Sequence, residues 1–414
     1  MADAIRTAVL YADYTTRLSY YDDWLDAFQQ SSHYDVTPIN ICGKGAEEAV
    51  RKAARDADLI ILLHSTNGDT TIYLEPFSAI LAERRGKLLA FIGNEVNLPG
   101  SPIAAKRDVL ARIMPDFIGT QLLLEAGEFL WGDLVRNRVV ALPHALNPAA
   151  FTIRNDTADR PIDIGVRAVR YLPYLGDDDR NRLHDLFQHH DFAPDIRVDI
   201  SSDRFDRDGW ANFLNCCKGT VSSEAGTWFI ERDDATIEAI RRWVMQRAGG
   251  RLVIANDSVL RRIGHKLPWR VRALARRVMS RGYIRHESTI NEELDFDEIY
   301  QAFFAGRPIP AVHGKCISSR HFDAIGAGTC QILLEGRYND LLQADVHYIS
   351  LQKDYANIGE VMRRFGDEAE RRKIISAARE HALAHHTYVH RMDEIFRIVS
   401  EASPAMRQAV NSSH

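Results

Sequence analysis

The sequence predicts an α/β protein made of two Rossmann-like halves, and three observations carry that prediction. Apolar runs rich in Val, Ile and Leu alternate with amphipathic stretches; the alternation occurs twice; and a Pro- and Asn-punctuated segment separates the two occurrences. At 414 residues the chain exceeds one ordinary core and fits two domains.

In the first half TAVLYAD precedes YDDWLDAFQQ, DVTPINI precedes AEEAVRKAARD, DLIILLHS precedes LEPFSAILAERR, and KLLAFIGN precedes AAKRDVLARIM. Near-continuous apolar strands, each followed by a helix, describe parallel βαβ units. The first turn, ADYTTRLSYYDD, lacks the glycines that let a dinucleotide pyrophosphate approach the backbone, so NAD or FAD is not expected there. The segment RVVALPHALNPAAFTIRNDTADRP reads as an interdomain linker, which gives a first domain over 1–145. A second domain over 146–380 begins with IDIGVRAV, DDRNRLHDLFQHH, IRVDIS, DGWANFLNCCK and GTVSSEA and resumes at FDAIGAGTCQILLE, around a helical insertion at about 229–312. Residues 381–414 read as a C-terminal helical segment whose stripe of Met392, Ile395, Phe396 and Val399 can dock on a core.

Composition narrows the class. With 45% hydrophobic and 26% charged residues and a net charge of -5, the chain resembles an ordinary globular protein with no overall pull toward nucleic acid. No apolar run approaches the ~20 residues that cross a bilayer, and the N-terminus runs directly into a strand pattern, so the expectation is a cytoplasmic protein that is neither secreted nor membrane-spanning. Cys42, Cys216, Cys217, Cys316 and Cys330 are odd in number and lack paired spacing, which points to reduced thiols and no zinc site. Asp177, Asp178 and Asp179 precede a helix and fit N-terminal capping, so no metal is assigned. Basic charge is concentrated in the insertion: between Arg251 and Arg285 nine Arg and Lys266 face one acid, Asp257. Its stretch WRVRALARRVMSRGYIR sets Val271, Leu274, Val278 and Ile284 on one side of a helix and Arg270, Arg276, Arg277 and Arg281 around the rest. Such a helix lies on an anionic membrane, faces a phosphate-bearing substrate, or is simply solvated and paired with acids elsewhere.

The stretch from Ser318 to Ile358 carries SSRHFDAIGAGTCQILLEGRYNDLLQADVHYISLQKDYANI. It resembles the C-terminal donor-binding region of group 1 glycosyltransferases of GT-B fold, especially the spore-maturation-type branch. The resemblance implies two Rossmann-like domains facing a cleft, a nucleotide-sugar donor on the second, an acceptor on the first, and a last helix that returns to the first domain. Asp323 stands in the first turn of a helix, where negative charge is favoured, and the resemblance makes it a ligand of ribose hydroxyls; helix capping is the alternative. Gly326 and Gly328 permit close packing and a tight helix-to-strand turn. Eight positions before Asp323 the family places a sugar-contacting Glu, and this chain has Lys315. Glu224, at the end of GTVSSEA, takes that role or is a turn residue.

Arg167, Arg170, Lys315 and Arg320 are the candidates for charge-assisted bonds to the departing diphosphate, which GT-B enzymes stabilise without a bound metal or resident cofactor. Glu335 and Arg337 follow a strand and belong at a carboxyl edge; His347 and Tyr348 line a base or sugar pocket, or His347 is a packed loop histidine. On the first domain His64, Asn67 and Asp69 in HSTNGDTT, and Glu95 and Asn97 in GNEVNLPGS, are expected to hold the acceptor, where His64, Asp69 or Glu95 can deprotonate a hydroxyl. Asn67, Gly68 and Asp69 also form a turn without further role.

The function expected is therefore sugar transfer from a nucleotide-diphosphate sugar to a hydroxyl acceptor, with retention of configuration. Its setting is bacterial surface polysaccharide or glycoconjugate synthesis, with a glycan or lipid-linked acceptor and peripheral contact between residues 251–285 and an anionic inner membrane face. A nucleotide-sugar epimerase and a non-catalytic nucleotide-sugar-binding protein of the same fold are the alternatives, the latter kept open by Lys315.

Overall fold

The computed structural model describes residues 4–14, 18–189, 195–247, 252–254, 284–286 and 294–402. The first domain runs β1 (Ile5–Tyr11), α1 (Ser19–Gln30), β2 (Tyr34–Asn40), α2 (Ala46–Asp56), β3 (Leu59–Leu62), α3 (Ser78–Ala82), β4 (Lys87–Phe91), α4 (Ile103–Ile113), β5 (Phe117–Thr120), α5 (Leu124–Trp131) and β6 (Arg138–Ala141). Its strands form one sheet in the order β2-β1-β3-β4-β5-β6, parallel throughout. Leu59 to Leu62 are all buried because helices cover both faces of the sheet. Pro38 is tolerated because β2 is an edge strand. Arg138–Ala141, within the segment read as linker, is the sixth strand: its Val139 and Val140 complete the two faces of the sheet beside β5.

Alternate side chains feed two cores. Leu10, Ile60, Leu62, Leu88 and Ile118 pack with Val50, Leu81, Leu110, Ile113 and Trp131 from α2 to α5. Val9, Leu59, Ile61, Leu89 and Phe117 point the other way, onto Trp24 and Phe28 of α1. That second face is completed by the last helix, whose Met392, Ile395 and Val399 are buried there, while Phe396 stacks on His33 with ring centroids 4.2 Å apart.

The second domain runs β7 (Ile162–Arg167), α6 (Asp179–His189), β8 (Val198–Ser201), α7 (Arg207–Asn215), β9 (Cys217–Ser222), α8 (Ala235–Arg247), β10 (Leu252–Ile254), β11 (Ile284–His286), α9 (Phe296–Phe303), α10 (Ser319–Gly326), β12 (Cys330–Leu334), β13 (Ile349–Leu351), α11 (Ile358–Gly366) and α12 (Glu368–His385), before α13 (Tyr388–Glu401) returns to the first domain. Its main sheet is parallel in the order β13-β12-β9-β7-β8, so the order reverses between β7 and β9 as it does between β1 and β3. In the insertion, α8 and α9 share a small core of Ile237, Ile240, Val244, Ile299 and Phe304. The expected all-helical insertion is corrected in one respect: β10 and β11 pair in parallel, and Ile284, expected on a helix, lies in a strand, as β-branched residues favour. Arg270, Arg276, Arg277 and Arg281, with the rest of the basic helix, lie outside the described residues. No described helix is long and apolar enough to cross a membrane.

Loops at the carboxyl ends of the first sheet meet the second domain. Asn339 Nδ2 donates to Gln121 O (3.0 Å), and Arg337 pairs with Glu125 (3.3 Å). Asn97 Nδ2 donates to Asp234 (2.6 Å), and Arg207 Nη1 bonds Asp23 (3.0 Å) and Asp26 (2.6 Å). The two Rossmann-like halves thus face one another across a cleft, the GT-B arrangement.

Under the cleft, His144 Nδ1 accepts the Trp24 indole N–H at 3.1 Å, which leaves a neutral, buried imidazole. Burial first, and Arg391 second, push its pKa down to about 3. An unfolded histidine titrates near 6.5, so the unfolded chain binds a proton that the folded one refuses. The stability from this group is complete above about 6.5 and is lost as pH falls toward 3, by up to ~1.4 kcal/mol per pH unit. In His144→Gln, which keeps an acceptor for Trp24, the slope of unfolding free energy against pH between 4 and 6 should flatten by about one proton. Urea titrations at several pH values measure it, and a wild-type slope would remove His144 as the cause.

Candidate active site

At the reversal point of the second sheet, the ends of β7 and β9 enclose a cavity that α6, α7, α10 and β12 complete. Open parallel sheets bind ligands at such a point because the strand ends part there. Its charge is one-sided: Arg167, Arg180 and Arg320 line it together with His184, His321 and Gln331, and no carboxylate does. Among the described residues neither Arg180 nor Arg320 forms an ion pair. Burial and the neighbouring Arg180 push the Arg320 guanidinium down to about 10. Arg180 lies over the Tyr171 ring, 3.9 Å from its centroid.

Several lining atoms have no hydrogen-bond partner: both amide atoms of Gln331, His321 Nε2 and Arg167 Nε. The His321 tautomer follows from its role at the start of α10. Its Nδ1 accepts the Ser318 amide N–H at 3.0 Å, so the proton sits on Nε2. Burial above all pushes its pKa down to about 3, as it does for His184. The cavity therefore offers cationic and neutral donors to an anion.

The predicted donor-side residues are divided by the structure. Arg167 and Arg320 line the cavity, although Arg167 also pairs with Asp199 at 2.8 Å. Arg170 does not: it is exposed and paired with Asp185 at 2.5 Å. Lys315 is buried in an ion pair with Asp177 (2.7 Å), with Asp179 at 3.5 Å. Burial opposes its charge, but two carboxylates outweigh burial and hold the ammonium above its ordinary pKa. Asp323 is buried at the domain interface rather than in the cavity lining, where its carboxylate accepts the Trp210 indole N–H (2.9 Å) and the Ser19 hydroxyl (3.4 Å). Gly326 packs against the interdomain crossing, where a Cβ would meet Leu146 Cδ1 at 2.5 Å, and Gly328 makes the turn into β12 with φ +66°.

Glu224 follows β9 and is buried, with Oε1 accepting the Tyr338 N–H at 2.8 Å, and burial raises its pKa. Glu335 and Arg337 are exposed, the latter paired with Asp340. His347 stacks on His381 with centroids 4.4 Å apart, and Tyr348 is buried beside Tyr338.

On the first domain the three base candidates differ in access. His64 is fully buried among Tyr20, Trp24, Phe91 and His144, with neither ring nitrogen hydrogen-bonded. Glu95 is buried and accepts from Thr120 Oγ1 (2.7 Å), the Gln121 N–H (2.8 Å) and the Trp131 indole (2.7 Å). Asp69 alone of the three is exposed, bonded to Asn94 Nδ2 at 2.8 Å and to the Tyr14 hydroxyl at 3.5 Å. Tyr20, between the domains, feels both Asp69 and Arg320. Asn67 bridges Phe91 O and the Gly93 N–H, a structural use.

Sequence reasoning missed Arg180, His184, His321 and Gln331. The last carried a signal, a polar residue inside the otherwise apolar strand CQILL.

Residues 270–397 match the model of a family described as glycosyl transferase-like, and the motif from Arg320 to Gly328 falls inside the matched region. No curated protein matches the sequence. Among solved structures the chain is similar to Anabaena HepE in complex with UDP-glucose, at 11% identity over 95% of this chain and 99% of that one, TM-score 0.48. It is similar to sucrose-phosphate synthase from Thermosynechococcus elongatus, at 12% identity over 96% and 100%, TM-score 0.49. A third is α,α-trehalose 6-phosphate synthase from Burkholderia multivorans, at 12% identity over 99% and 99%, TM-score 0.45.

The buried Lys315 pair makes a stability prediction. Lys315→Met strands the Asp177 carboxylate and should cost about 3 kcal/mol of unfolding free energy, whereas Lys315→Met with Asp177→Leu should recover most of it. Denaturant titration of the two variants decides this; equal losses would show that the charge pair is not what holds the loop.

Proposed function

We propose that the chain transfers a sugar from a nucleotide-diphosphate sugar to a hydroxyl acceptor. The observation that carries the reading is the cavity of Arg167, Arg180 and Arg320, lined by no carboxylate, at the strand reversal of the second domain; of the three base candidates on the first domain, Asp69 is the exposed one. The glycosyl transferase-like match over residues 270–397 supports the same reaction class.

In this reading Arg180 and Arg320 hold the diphosphate, and their fixed positive charge stabilises the negative charge that grows on it as the glycosidic bond breaks. Ribose hydroxyls replace Ser19 as donors to Asp323, so the nucleotide exchanges an interdomain hydrogen bond for one of its own. Glu224 contacts the donor sugar. Asp69 takes the proton of the acceptor hydroxyl, because His64 and Glu95 are enclosed. Domain closure excludes water from the reacting centre. The setting we infer is surface polysaccharide or glycoconjugate synthesis, with peripheral contact between residues 251–285 and an anionic membrane surface, as their nine arginines would favour.

Calorimetry against UDP, GDP, ADP, dTDP and CMP tests the donor site. One nucleotide should bind saturably, and Arg180→Ala and Arg320→Ala should each weaken it about ten- to a hundredfold, as expected for losing a charge-assisted hydrogen bond. If no nucleotide binds, the reading is lost. Glu224→Gln should lower kcat more than it raises KM, and full activity would take Glu224 out of the site.

A further inference from the structure

Lys106 of α4 is 1% exposed, yet among the described residues it forms no ion pair. Its Nζ donates to two main-chain carbonyls, Gly93 O and Asn94 O, both at 2.7 Å. Glu95, the nearest acid in sequence to those carbonyls, is engaged by Thr120, Gln121 and Trp131 instead. An ammonium taken out of water costs several kcal/mol, and methionine, of similar length, would fill the space without that cost. What lysine adds here is its hold on the loop after β4.

That hold reaches the cleft. Asn94, whose carbonyl is anchored, has φ +50°, and its side-chain Nδ2 donates to Asp69 Oδ1 at 2.8 Å. The loop that bears Asp69 is locked to the same floor: a Cβ on Gly93 would lie 2.7 Å from Gly68 Cα and 2.6 Å from His64 O. Asn67 Oδ1 accepts the Gly93 N–H at 3.0 Å, and Ser101 Oγ donates to Gly68 O at 2.5 Å. We propose that Lys106 is a positioning residue that fixes the acceptor-side carboxylate Asp69 through Asn94. The proposal rests on the reading of Asp69 as the acceptor base. Burial pushes the Lys106 amine down to about 7, and because a neutral amine still has two N–H donors for two carbonyls, the anchoring survives titration.

The test uses the full chain and the nucleotide-sugar whose nucleotide binds in calorimetry, with nucleotide release as the turnover readout. Lys106→Met, and Asn94→Gly as the variant that keeps the left-handed backbone without disturbing a buried site, should bind the nucleotide within twofold of wild type while kcat falls at least tenfold. Lys106→Met combined with Asp69→Asn should be no slower than Asp69→Asn alone, since all three act on one carboxylate. Wild-type kcat in Asn94→Gly, or additive losses in the double variant, overturns the proposal while leaving the transferase reading intact. A wild-type protein that binds no nucleotide overturns both.

Discussion

Two passages of chain cross between the domains, and the backbone of Leu146 ties them together. Its N–H donates to His386 O at 2.8 Å and its carbonyl accepts the Tyr388 N–H at 3.2 Å. Two crossings joined at one point have the geometry of a hinge. Helix α10 ends on that hinge through Gly326, and begins at the cavity with Arg320 and His321. Eight residues of helix therefore connect the arginine-lined cavity of the second domain to the interdomain crossing.

The interface that closes beside the hinge is polar and charged. Arg207 reaches across from α7 to Asp23 and Asp26, and burial lifts Asp23 to about 6 despite that partner. Such contacts are weaker per unit area than an apolar seam and exchange readily with water. Apolar burial is concentrated in the sheet cores of both domains, and Ile230 and Cys316 of the second domain join the core of the first.

The fold class was legible because strands buried on both faces, such as LIIL and KLLAF, leave continuous apolar runs with helical patterns between them. The sixth strand was not, because four residues within a Pro-rich segment offer too little pattern to separate strand from linker. At the site, Arg320 and Asp323 stood in one motif and were read together, yet the structure gives the first to the cavity and the second to the interface. Arg180 and His184 look like ordinary polar positions of an amphipathic helix, and only the pairing of β12 with β9 brings Gln331 to the same cavity. Lys106 was readable in principle: it shares the stripe of Ile103, Leu110 and Ile113, an odd place for a charge on a helix that faces a core.

The return of α13 also sets an order of events during synthesis. The second face of the first sheet is closed by Met392, Ile395 and Val399, which leave the ribosome only after the whole second domain has been made. Until then Val9, Ile61 and Leu89 have only α1 to cover them, so the domain that emerges first is the one completed last.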